Sequence, residues 1–334
     1  MSGPYIPTAL STPIVNPSIA TVGAQALPYI SVSYYQFAPT AMEVKTLVPG
    51  GTTAQSMESL ALTINRATQW ANSYLFGKAA SSKGGTLAAS LSIEKVKTRV
   101  KKGELRLVCD YSPIQQVIGI DAGLNPSSLS SIGSGLAAGV EIGNWVITVP
   151  MSYVPIRSGD TGTPMVYGGI TGDVYVVWSY VHGYPHTKLT ASVLEGATSC
   201  TVEATDGAGG VWGVPWVPYL TVFDGQQTET VTVNSVTTGS STTTFNTSAF
   251  AYAHTVPTAP DFLPVTAVPD DVLQAVTSLT TMLIKTRGSK AMVMPQMPGE
   301  KPSRSALAQA GALDDWEIAE RLLQPYRSHT KSKV

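Results

Sequence analysis

The spacing of apolar and polar positions changes several times along the chain, and each change marks an element. Met57, Leu60, Ala61, Ile64, Ala67, Ala71, Tyr74 and Leu75 recur at three and four residues. That period places them on one face of a helix over 52–76, with Gly77 as its C-cap. From residue 90 the period drops to two, so that Val96, Thr98 and Val100 fall on one side of a strand and Lys95, Lys97, Arg99 and Lys101 on the other. With a two-residue loop at Lys102-Gly103, the strand turns into a hairpin in which Lys101 faces Glu104, Val100 faces Leu105 and Arg99 faces Arg106. Short strands are expected near 114–120, 144–150 and 173–182. The run Val174-Tyr175-Val176-Val177-Trp178, apolar on both faces, belongs at the centre of a sheet.

Between residues 187 and 258 the alternation recurs in LTASV, SCTVEA, PYLTVFDGQQTETVTVNSV and STTTFNT, with Asp224-Gly225 as a hairpin turn. A second long helix follows. Pro269 stands at its first turn, Asp270 and Asp271 at the positive end of its dipole, and Lys285 and Arg287 at the negative end. Its apolar stripe is Val272, Ala275, Val276, Leu279, Met282 and Leu283. After a linker with Pro295, Pro298 and Pro302, Asp314-x-x-Glu317 reads as a capping box opening a short helix that Pro325 stops. Trp316, Ala319, Leu322 and Leu323 make one side of that helix apolar, and an element so short has to dock on this chain or on another.

The expected fold class is therefore α+β. A Pro-rich extended arm occupies 1–50, with prolines at 4, 7, 13, 17, 28 and 39, and a helix-plus-strand hub spans 51–186 and 259–288. An inserted β-sandwich-like module occupies 187–258, and a linker with an amphipathic helix occupies 289–334.

Composition narrows the function. Of 334 residues only 13% are charged and 43% hydrophobic, with 30 Gly and 23 Pro, a mixture typical of turn-rich globular β structure rather than disorder. Lys+Arg 21 against Asp+Glu 22 leaves a net charge of -1, so the chain as a whole carries no field that would gather nucleic acid or an anionic membrane. Contact with either has to come from a local patch. The first thirty residues have neither a charged leader nor an unbroken apolar run, so synthesis and assembly in the cytoplasm, away from membranes, are expected. Cys109 and Cys200 read as free buried thiols.

Chemistry-bearing motifs are sparse. His182 and His186 stand in HGYPH, where Gly183 and Pro185 oppose the helix that would converge them on a metal; ordinary loop histidines are the plainer reading. Gly133-Ser134-Gly135 lacks the strand-then-helix setting of a nucleophile elbow, and Gly207, Gly209 and Gly210 lack the Lys and helix of a phosphate loop. Asp110, Asp121, Glu141, Asp160 and Asp173 are scattered carboxylates that spacing alone does not pair. The expectation is a protein without catalytic residues, metal or cofactor. Two surfaces remain as interaction candidates. The basic row Lys95, Lys97, Arg99, Lys101 and Arg106 reads first as a solvated face, then as a surface for an acidic protein partner, and last as one for DNA phosphates. The C-terminal set Trp316, Leu322, Leu323, Tyr326 and Arg327 has the aromatic-plus-Arg content of an interface anchor, and docking on another chain is favoured over self-packing.

Three segments, PGGTTAQSMESLALTINRATQWANSYLFG, LRLVCDYSPIQQV and PDDVLQAVTSLTTMLIKTRG, in this order resemble the head-to-tail connector (adaptor) proteins of long-tailed bacteriophages. The inserted LTASVLEGATSCTVEATDG, PYLTVFDGQQTETVTVNSV and FAYAHTVP resemble a β module recurrent in phage virion proteins. The resemblance covers about 45–288 and rests on pattern and order. It implies a structural virion protein at the head–tail junction, in a homo-oligomeric ring of typically twelve subunits between portal and tail, surrounding the DNA channel. It also implies that the two long helices pack as the subunit core and that arms and C-terminal segments bind neighbours, the portal or the next neck protein. The large β content departs from the smallest, mostly helical connectors, which leaves the neck layer open. A tail or capsid-decoration role shares the same composition. The alternatives from other classes are a carbohydrate-binding protein using Trp212, Trp216 or Tyr219, and a hydrolase using the HGYPH histidines.

Overall fold

The computed structural model describes residues 27–37, 52–76, 85–100, 104–127, 129–131, 140–150, 155–157, 164–166, 173–203, 219–238, 241–286 and 303–327. Helices and antiparallel sheets coexist in it, an α+β fold. The chain divides into two compact units, one containing 90–183 and the other containing 23–89 and 184–329. The two long helices thus share a unit with the strands of 186–266, while the strands of 90–182 stand in the other. This grouping cuts across the helix-plus-strand hub expected from sequence. Its physical reason is local. The chain leaves the helical unit after Ala89 and returns at Tyr184, and the two ends are pinned together by Ala89 N to Tyr184 O and Tyr184 N to Leu87 O, both 2.7 Å.

Among the described residues of 90–183 the only regular elements are strands. These are β1 (Ser90–Arg99), β2 (Glu104–Val108), β3 (Ile114–Gly123), β4 (Ser130–Ser131), β5 (Glu141–Ile142), β6 (Val146–Pro150), β7 (Pro155–Arg157), β8 (Pro164–Val166) and β9 (Asp173–His182). They form sheets ordered β1-β9-β3-β4, β2-β6-β5 and β7-β8. The apolar run of β9 is central, as its composition demands, with Val174, Val176, Trp178 and Tyr180 buried. The expected β1–β2 hairpin does not form. β1 pairs with β9, setting Lys95 opposite Val177, Lys97 opposite Tyr175 and Arg99 opposite Asp173, whereas β2 pairs with β6, setting Arg106 opposite Thr148. Burial decides this. Leu105 and Leu107 of β2 meet Ile147 and Val149 of β6 and all four are buried, a face that the polar β1 could not have supplied.

In the other unit, α1 (Val32–Phe37), α2 (Thr53–Phe76), α3 (Asp270–Lys285), α4 (Arg304–Gln309) and α5 (Leu313–Leu323) accompany β10 (His186–Lys188), β11 (Ser199–Glu203), β12 (Tyr219–Val222), β13 (Glu229–Thr238), β14 (Thr242–Thr247) and β15 (Pro264–Thr266). α2 opens with a capping box that sequence reading overlooked: Thr52 Oγ1 accepts from Gln55 N at 3.2 Å and Gln55 Oε1 accepts from Thr52 N at 2.9 Å. Leu60, Ile64, Ala67, Ala71, Tyr74 and Leu75 of the anticipated stripe are buried. The β strands make one six-stranded sheet, β10-β15-β12-β13-β14-β11, rather than two facing sheets. β13 pairs with β12 in its first half and, past a bulge at Val233/Ser235, with β14 in its second, which bends the sheet round. Its edge strands then meet through the Leu189–Val202 bridge and Thr190 N to Thr201 O at 3.0 Å, closing a barrel on Leu189, Val202, Leu220, Val222, Val231, Phe245 and Val265.

Part of the expected extended arm is instead packed structure. Residues 1–26 and 38–50 lie outside the described residues, but Tyr29, Ile30, Val32 and Tyr35 are buried and 32–37 is helical. Tyr29 explains the anchoring. Its hydroxyl donates to Asn72 Oδ1 at 2.5 Å and accepts from Leu87 N at 2.7 Å, and its backbone N donates to Thr68 Oγ1. Asp261, distant in sequence, caps α1 by accepting from Val32 N at 2.9 Å and Ser33 N.

Candidate functional site

The basic row is only partly brought together. Lys95, Lys97 and Arg99 project at alternate positions from exposed sites on β1, with Lys97 Nζ 5.6 Å from the Tyr175 ring centroid. Arg106 is also exposed but belongs to the β2-β6-β5 sheet, and Lys101 lies outside the described residues. Three cations therefore share a strand edge, and the continuous five-cation hairpin face is not present. On the other side of β1, Glu94 is buried and accepts from the Tyr180 hydroxyl and from Asp110 N at 2.7 Å. Burial, then the Glu94 charge, push the Tyr180 hydroxyl far up. Tyr111 is raised to about 12 by burial, Asp110 and Glu94.

The C-terminal set is largely absorbed by the chain's own fold, which corrects its assignment to an intermolecular interface. α5 docks on α3, and Trp316, 1% exposed, stands edge-on to Trp70 at 4.6 Å and to Tyr74 at 6.1 Å. Leu323 is buried, Leu322 and Tyr326 are half-buried, and exposed Arg327 lies 5.2 Å over the Tyr74 ring. The capping box at Asp314 does not form: the helix begins at Leu313 after Ala312, with no side-chain cap. Its carboxylates have other partners, Asp315 receiving Lys285 Nζ at 2.7 Å and Glu317 receiving Arg304. Because the helix already includes Leu313, Asp314 lies inside its first turn and not at the cap position.

The HGYPH histidines are buried strand residues, not loop residues. His182, at the end of β9, has Nε2 3.0 Å from both Ser90 Oγ and Ser92 Oγ, and its ring stacks on Tyr111 at 4.5 Å. His186 Nε2 donates to Pro28 O at 2.9 Å. Burial lowers the two rings to about 3 and about 4 respectively, so both are neutral at physiological pH. Cys109 and Cys200 are buried thiols not joined in a disulfide, and burial raises Cys200 to about 11. Of the aromatic carbohydrate candidates, Tyr219 is exposed at the start of β12; Trp212 and Trp216 lie outside the described residues.

One charged cluster had no sequence signal. His254, with no exposed surface, sits between two carboxylates. Asp224 Oδ2 is 3.0 Å from Nδ1 and Glu229 Oε1 is 2.8 Å from Nε2. Glu229 also accepts from Ala251 N at 2.8 Å and Tyr252 N at 3.0 Å. Burial alone would raise its carboxyl, but the Ala251 N–H, the His254 ring and the Tyr252 N–H together outweigh that and hold it below its ordinary value. The partners stand 30 and 25 residues from His254, and the chain past β14 reaches them by running on beside β13, with Ser248 N bonded to Thr232 O at 2.8 Å. Among the described residues no group of three or more His, Cys, Asp or Glu side chains is arranged to hold a metal ion, and no helix is long and apolar enough to cross a membrane. No protein-family model, curated protein or solved structure matches the chain.

Proposed function

We propose that the chain is a structural, non-enzymatic virion protein of a tailed phage, a ring-forming head-to-tail adaptor joining portal to tail around the DNA exit channel. The observation that carries this reading is the packing of α2 on α3. These helices hold the first and last of the three segments that resemble connectors, and a subunit core made by both is what that resemblance implies. In this reading α2 and α3 are the subunit hub, and the barrel, built between them in sequence, is the inserted module it carries. Lys95, Lys97 and Arg99 supply local positive charge for DNA or an acidic neighbour despite a net charge of -1. A ring suits modest surfaces of this kind, because weak contacts repeated around closed symmetry combine without any tight single interface.

The deciding experiment is quantitative mass spectrometry of density-purified particles, with the copy number of this chain compared with those of portal and capsid proteins. Portal-like stoichiometry is the expected result. Hundreds of copies per particle would reassign the chain to tail tube or capsid decoration, and absence from particles would remove the virion reading altogether.

A further inference from the structure

The net charge of -1 conceals a segregation along the chain. From Leu189 to Ile284 there is no Lys or Arg, while Glu195, Glu203, Asp224, Glu229, Asp261 and Asp270 fall within that stretch. β1 carries the opposite sign: Lys95, Lys97 and Arg99 are exposed, and its only carboxylate, Glu94, is buried. Such a chain has almost no net charge to repel its own copies and two surfaces of opposite sign to attract them.

Each surface also exposes apolar side chains. β1 is the end strand of its sheet, and both of its faces are open over 95–97, where Val96 stands exposed between two lysines. In the barrel unit, Leu194 to Ala197 make a tight turn closed by Ala197 N to Leu194 O at 3.1 Å, with Gly196 at φ +79. Leu194 is 75% exposed, and Glu195 and Tyr252 are exposed beside it. This turn is pre-ordered. Val193 and His254 exchange two 2.8 Å backbone hydrogen bonds, Gly196 N donates to Phe250 O at 2.8 Å, and Phe250 N donates to Ala197 O at 2.9 Å. The 250–254 loop is fixed in its turn by Glu229, which gathers the Ala251 and Tyr252 amides, and by the His254 ring between Asp224 and Glu229. A rigid knob loses little freedom on binding, so a small contact suffices, and a tyrosine at its rim is a favoured anchor.

We propose that the Leu194–Ala197 turn of one copy docks on the β1 edge of the next, Glu195 against Lys95 and Lys97, and Leu194 and Tyr252 against Val96. The opposite signs of the two surfaces make a second copy the occupant of the basic edge. Because the contact joins two different patches, it repeats head to tail and closes into a ring where the rotation allows. It deepens the adaptor reading and rests on it for that ring.

The test is sedimentation velocity on the full chain, at low and high salt, with Glu195→Lys and Lys95→Glu, both at exposed positions. The unaltered chain should associate with rising concentration, more weakly in high salt. Each variant alone should associate about tenfold or more less tightly, since a like-charge pair replaces an attractive one. An equimolar mixture should recover, because alternating copies set each reversed side chain against its complement. A mixture no better than its components, or an unaltered chain that stays monomeric at every soluble concentration, would overturn the contact. Association that stops at a dimer would overturn the head-to-tail repeat. Loss of duplex DNA binding in Lys95→Glu with self-association unchanged would give the edge to DNA and overturn the contact as well. Particle copy number is read separately: portal-like stoichiometry without recovery in the mixture keeps the adaptor and removes this contact, and recovery for a chain absent from particles keeps the contact and removes the adaptor.

Discussion

Replacing Trp316 by Ala tests how the C-terminal helix is held. The indole is 1% exposed and fills the angle between Trp70 and Tyr74. A side chain of this size buries roughly 200 Å², worth about 5 kcal/mol at 25 cal/mol per Å². Measured truncations of buried aromatics to Ala cost about 3–5 kcal/mol, cavity included. The other attachments of α5 are weaker. The Lys285–Asp315 pair is partly solvated, Arg304–Glu317 is exposed, and each contributes about 1 kcal/mol or less. An eleven-residue helix does not persist alone in water, so the loss should appear as detachment of α5 rather than collapse of the barrel. Native-state hydrogen exchange separates the two. In Trp316→Ala, α5 amides should lose about a hundredfold in protection while β12–β14 amides keep theirs. Unchanged α5 protection together with failed assembly would refute this account and restore the intermolecular role that composition alone suggests for Trp316.

Three other perturbations probe separate parts of the fold. Thr52→Ala removes one half of the α2 capping box and should lower stability by about 1 kcal/mol in urea denaturation; no shift in midpoint would mean that the helix start is held elsewhere. Gly225 has φ +54, so Gly225→Ala introduces left-handed strain of roughly 1–2 kcal/mol and pushes on Phe37, which is 63% exposed and free to swing; a neutral result would show that the turn relaxes. His186 is buried and lowered from 6.5 to about 4, so the unfolded chain takes up the proton first and stability falls as pH drops from 6.5 toward 4. Its share is on the order of 3 kcal/mol, absent above that window and complete below it. Thermal unfolding across pH 4–8 should show a shallower acid limb in His186→Gln, and an identical limb would move the acid sensitivity to other groups.

What was legible in the sequence was everything encoded by short-range periodicity. The 3.6-residue stripes of α2 and α3 and the apolar run of β9 are each long enough that burying one face leaves a single solution. Strand partners were not legible. The local turn at Lys102-Gly103 suggested a β1–β2 hairpin, but both strands found better-matched apolar faces elsewhere, β1 on β9 across more than seventy intervening residues. The C-terminal helix was visible as an amphipathic element, yet its stripe is equally suited to its own α3 and to a neighbour, and only packing chose the former. For the same reason the His254 cluster could not be foreseen. Asp224, Glu229 and His254 are ordinary turn, strand and loop residues in sequence, and they come together only because the segment after β14 folds back along β13 and buries the ring between two carboxylates. Periodicity reports which face of an element must leave water; it carries no information about what covers that face, because hydrophobic burial is non-directional and the covering surface is selected by shape and hydrogen bonding in three dimensions.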